Sequence, residues 1–153
     1  MTMRFEISPH DGIGPVKLGM SSADVRNALG EDNLSSSKER IEKYFDRAID
    51  VEFIDGCVSF IGVGFHQSYE LSYKGINPFD VSALELFEII AGHESSTHTY
   101  NEYEYRFPDQ LITLWNAYRQ YGKLDEDDHV IWAQIGIGSG EYLDAIAMIE
   151  VGC

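Results

Sequence analysis

Several groups in the chain have residue types and spacings that could do chemistry. His93, Glu94 and His98 bring imidazole and carboxylate donors close together, as a transition-metal site would. No third His or Cys stands at zinc-site spacing, and the group follows an expected helix end, so a solvated histidine pair is the preferred reading. Asp125, Glu126, Asp127 and Asp128 offer oxygen ligands of the kind Ca²⁺ takes, yet the alternation and central glycine of an EF-hand loop are missing. Gly136, Gly138 and Gly140 could cradle a phosphate on backbone N–H groups. Their spacing is not that of a dinucleotide fingerprint and no Lys or Arg lies near, so close approach of two backbones explains them better. Glu102 and Glu104 stand two apart in an expected strand and share a face with Arg106, but paired-carboxylate catalysis needs one of them desolvated. A nucleophile elbow of the G-x-S-x-G type is absent, and Cys57 falls inside an expected strand, where packing is its role. The reading is a protein that is not an enzyme, with no metal and no cofactor.

Charge and aromatic residues say more. The chain of 153 residues carries 26 Asp and Glu against 11 Lys and Arg, a formal charge of −15 that repels nucleic acid and anionic membranes and attracts basic partners. The second half carries most of the field: residues 76–153 hold 14 acids and 3 bases, whereas residues 1–75 hold 12 and 8. Tyr100, Tyr103, Tyr105, Phe107, Trp115, Tyr118, Tyr121 and Trp132 crowd into that same half. Many must be core. Those that alternate outward would set aromatic anchors among acids, which is how a surface combines contact energy with steering of a basic protein. The first candidate surface is the acidic loop Asp125, Glu126, Asp127 and Asp128 with Tyr121 and Tyr118; the second is the expected strand carrying Tyr100, Glu102 and Glu104.

The elements that must position these groups follow from pattern. Composition is that of a globular chain, 44% hydrophobic, and its length suits a single domain over residues 1–153. Two cysteines do not make a disulfide framework, no stretch is apolar enough to span a membrane, and the first residues have no apolar leader core, so a cytoplasmic location is expected. Phe5-Glu6-Ile7-Ser8 matches Tyr69-Glu70-Leu71-Ser72, Gly12-Ile13-Gly14-Pro15 matches Gly75-Ile76-Asn77-Pro78, and Ile61-Gly62-Val63-Gly64 matches Ile135-Gly136-Ile137-Gly138. Each copy has a helix-start serine, Ser21 or Ser82, and a stop glycine, Gly30 or Gly92. Residues 31–39 read as a polar loop. Asp55-Gly56 predicts a two-residue hairpin turn with Phe53 opposite Val58. Residues 142–151 suit a helix and a strand about equally. The expected fold is α+β: tandem helix-plus-antiparallel-meander units, pseudo-repeats at about 5–65 and 69–138, with both helices on one face of the sheet.

Gly19-Met20-Ser21, Val25 and Leu29-Gly30 resemble a motif of the SmpA/OmlA-type outer-membrane assembly lipoproteins and of β-lactamase inhibitor protein, whose units combine helices with an antiparallel sheet. In type, a strongly acidic chain of this size also resembles the immunity proteins of contact-dependent inhibition and polymorphic toxin systems. That resemblance implies a cytoplasmic protein that binds and neutralises a cognate, basic toxin, with neither nucleic acid nor membrane as partner. The alternatives are an inhibitor or assembly module for another protein, and a small hydrolase without a recognisable motif.

Overall fold

The computed structural model describes residues 3–38, 40–118 and 130–139. The chain opens with β1 (Met3–Ser8), β2 (Gly12–Ile13) and β3 (Val16–Lys17), and enters α1 (Ser22–Leu29). Ser21 caps that helix by accepting the N–H of Asp24 on its hydroxyl, which satisfies one of the first-turn donors. After a 3-10 turn at Glu31–Asn33 come β4 (Leu34–Lys38), β5 (Ile41–Tyr44), β6 (Ile49–Ile54), β7 (Cys57–Val63) and β8 (Tyr69–Ser72). Ser82 caps α2 (Ala83–Ala91) through the N–H of Glu85, and β9 (Glu104–Phe107), β10 (Ile112–Tyr118) and β11 (Ile131–Gly138) complete the described elements.

The α+β tandem expected from the sequence does not form; the protein is mostly β. Among the described residues there are eleven strands and two short α-helices, in two sheets ordered β3-β2-β1-β8 and β4-β5-β6-β7-β11-β10-β9. The reason lies partly in the helices, since α1 is eight residues long and buries only Val25 and Leu29. It lies also in β1 and β8, expected to open separate units. They pair with each other in parallel, Phe5 against Leu71, and so found a second sheet. The stretch 31–39, read as a loop, contains β4, an edge strand of sequence Leu-Ser-Ser-Ser-Lys with a single apolar residue. Residues 142–151 lie outside the described residues.

The larger sheet has one apolar face. Cross-strand neighbours Val51, Ile61, Ile137, Ile112 and Phe107 form one row, and Tyr44, Ile49, Val63, Ile135 and Leu114 the next, all buried. Both helices meet this face: Ser22 of α1 bonds Glu42, which stands in the first row, and Phe87 of α2 lies 5.0 Å from the ring of Phe107. Trp132, 1% exposed, donates its indole N–H to Ala83 O at 3.0 Å, and Ala83 N bonds Val130 O, so the start of α2 is tied to the start of β11.

Gly62 and Gly136 face each other at the β7–β11 seam, on the opposite face. A side chain on either would run into the Gln134 amide or the Phe60 ring, which lie over them, so close approach accounts for both glycines.

The hairpin forms with Asp55 and Gly56 at φ 52° and 79° and with Phe53 opposite Val58. Beyond that pair the register slips: Ser59 is an extra residue, its hydroxyl donates to Glu52 O, and Val51 faces Ile61 rather than Phe60. Phe60 is thereby turned to the other face. A Cβ on Gly56 would meet nothing within 4 Å, so the cost of Gly56→Val is conformational rather than steric. A loss of about 1 kcal/mol is expected from the left-handed backbone, read as a lower urea midpoint with unchanged m-value.

Candidate protein-binding face

The structure sorts the aromatic residues of the second half into core and surface. Tyr100, nominated above as a contact residue, is turned inward: its ring lies 5.4 Å from Phe87 and 6.0 Å from Trp132, and burial, followed by the nearby Glu102 charge, raises its phenol pKa. Tyr105 and Phe107 pack on Phe87 in the same cluster. Tyr103 and Trp115 remain outside, 70% and 49% exposed. Neither was singled out by sequence. The signal for Trp115 was available in the alternation Ile112-Thr113-Leu114-Trp115, in which Ile112 and Leu114 are fully buried and Trp115 points the other way.

Glu102 and Glu104 are exposed, as a contact role requires. Glu104 stands directly opposite Trp115, and its carboxylate is 3.2 Å from Arg106 Nη2 on the same face. Trp115 is opposite Gln134 on its other side, which makes a row Gln134–Trp115–Glu104 across three strands. Gln134 donates to Asp50, and Asp50 pairs with Lys43 at 2.7 Å, so the face continues as a polar surface toward β5. The ladder beyond β9 persists irregularly, since Tyr103 O and Glu102 O accept from Asn116 and Ala117 N–H. Tyr118 ends β10 opposite Ile131. Asp125, Glu126, Asp127, Asp128 and Tyr121 lie outside the described residues, between β10 and β11 in the sequence.

Behind this edge is a buried polar cluster that sequence reasoning had set aside as solvated. The Glu94 side chain is fully buried and accepts from Asp109 N at 2.9 Å, Gln110 N at 3.0 Å and Gln110 Nε2 at 2.8 Å. Gln110 also accepts from the Tyr73 hydroxyl and donates to Ile90 O. Burial, then the charge of Glu94, pushes the Tyr73 phenol up to about 12. His98 reaches Glu94 Oε1 at 3.6 Å through Nε2 and meets the Tyr105 hydroxyl through Nδ1. His93 stands apart from both, edge-on to the Tyr73 ring. The cluster locks the 93–110 connection to α2 and to β9, which carries Glu104.

Ser96, His98 and Glu94 do converge, but not as a nucleophilic relay. Such a relay needs its hydroxyl and its acid on opposite ring nitrogens. Here Ser96 Oγ at 3.2 Å and Glu94 Oε1 at 3.6 Å both face Nε2, while Tyr105 occupies Nδ1.

A second buried carboxylate holds α1 to the sheet. Glu42 accepts from Ser22 Oγ at 2.5 Å, Arg26 Nη2 at 3.0 Å and Tyr44 OH at 2.8 Å. Burial alone would raise its pKa. The bonds from Ser22, Tyr44 and Arg26 outweigh burial, and the net shift is downward.

No described helix is long and apolar enough to cross a membrane. Comparison with family models, with curated proteins and with solved structures gives no match.

Proposed function

We propose that the chain is an immunity-type binding protein that neutralises a cognate, basic bacterial toxin in the cytoplasm and performs no reaction of its own. The observation that carries this reading is the pair of exposed side chains Trp115 and Glu104, set opposite each other on one face of the sheet in a chain with net charge −15. Aromatic side chains of this kind supply contact energy, and surrounding acids speed the encounter with a positive partner. Asp125, Glu126, Asp127 and Asp128 add four negative charges to that field. Ser96 and Glu94, both on one nitrogen of His98, do not make a nucleophilic relay at that histidine.

The reading predicts a toxin domain encoded immediately upstream, and the test is to produce that domain with and without this chain and assay protection of the host and formation of a complex. With a complex in hand, changing Asp125, Asp127 and Asp128 to Asn and Glu126 to Gln should lower kon at low salt and flatten its salt dependence, because steering between exposed charges is screened above about 0.1 M. Toxicity unrelieved by the chain, together with no complex, sinks the reading. A kon unchanged at low salt removes the loop from the interface and leaves the β9–β10 face.

A further inference from the structure

We infer that the Trp115–Glu104 pair is a receptor for an arginine side chain of the partner, an inference that rests on the binding function proposed above. Trp115 and Glu104 are register partners on adjacent antiparallel strands, so their side chains leave the same face a few ångströms apart. One offers a half-exposed indole surface and the other an exposed carboxylate. Together they fit a planar cation that can stack and hydrogen-bond at once. Guanidinium does both and is weakly hydrated. An ammonium group is a compact, strongly hydrated point charge, so lysine fits less well.

The protein's own Arg106, two residues along β9 on the same face, shows that this carboxylate takes a guanidinium, with Nη2 3.2 Å from Glu104 Oε2. A carboxylate has two oxygens and about four lone-pair positions, so one arginine does not saturate it. The flanking positions keep the receptor open. Thr113, opposite Arg106, is small, and Gln134, opposite Trp115, is drawn away to Asp50. An exposed tryptophan alone would need no partner; the carboxylate of Glu104 facing it distinguishes this one.

Two measurements test the receptor separately from the function. The chain contains two tryptophans, Trp115 and Trp132, so its indole N–H resonances can be assigned with Trp115→Phe. Titration with acetyl-Arg-Gly-Arg amide should move the Trp115 resonance and leave that of buried Trp132 in place. The lysine counterpart should move it less, and Glu104→Gln should abolish the difference between the two peptides. Against the toxin domain, Trp115→Ala should weaken Kd about tenfold or more, mainly through koff, at a temperature where the variant is fully folded. A Trp115 resonance that ignores the arginine peptide, or a Trp115→Ala variant that binds toxin within twofold of the unaltered chain, overturns the receptor. An unaltered chain that binds no toxin while Trp115 still responds to arginine overturns the immunity reading and leaves the receptor standing.

Discussion

Replacing Glu94 with alanine is expected to cost about 3 kcal/mol, the largest effect of any single polar substitution proposed for this protein. The carboxylate is fully buried and accepts three N–H groups, two of them from the backbone at Asp109 and Gln110. Removing it strands those donors, and an orphaned buried donor costs roughly 1–3 kcal/mol. The sum stays below three full penalties because Asp109 is exposed and water can reach its N–H. Glu94→Gln keeps an acceptor oxygen but sets an NH₂ group against donors, so it should fall between alanine and the unaltered protein. Urea denaturation at pH 7 measures both, and a change under about 0.5 kcal/mol for the alanine variant would show that the 93–110 connection is not held through this carboxylate. Since that connection leads into β9, the alanine variant should also loosen the Trp115–Glu104 face, seen as faster amide exchange at Tyr105 and Phe107.

The second large effect is a pH dependence. Glu42 has a folded-state pKa below its ordinary value, so its contribution is fully present above the unfolded pKa, about 4.3, and is lost as pH falls through the lowered folded value. The protein should therefore lose stability progressively on acidification below about pH 4.5. In Glu42→Gln no proton can be taken up at this site, so that part of the acid limb should flatten. At neutral pH the same variant should be less stable by roughly 2 kcal/mol, because Ser22, Tyr44 and Arg26 all donate to the carboxylate and an amide NH₂ cannot accept. An acid limb identical in both proteins would place the titrating group elsewhere.

Local features were legible because they depend on neighbours in the chain. Ser21 and Ser82 cap the helices, Asp55-Gly56 makes the turn, and Phe53 meets Val58, all through interactions spanning a few residues. The slip at Ser59 was not legible, because an extra residue in one strand leaves no mark in polarity, yet it reverses Phe60 from one face to the other. The edge strand β4 was hidden for a related reason, since Leu34 to Lys38 lacks the alternation by which a half-buried strand is recognised.

By itself the sequence determined the charge field, the aromatic concentration in the second half, the capped helices and the hairpin turn, since each follows from composition or from contacts of short range. Only the tertiary structure decided that β1 pairs with β8 in parallel, because that pairing joins segments more than sixty residues apart that were similar enough to be taken for repeats. It likewise decided the roles of like residues. Tyr100 packs on Phe87 and Trp132 whereas Trp115 faces solvent opposite Glu104, and Glu94 is a buried acceptor rather than a solvated or metal-binding group. Residue type sets what a side chain can do, but exposure and hydrogen-bond partners are properties of the packed chain, and these distinguish an anchor from a core residue.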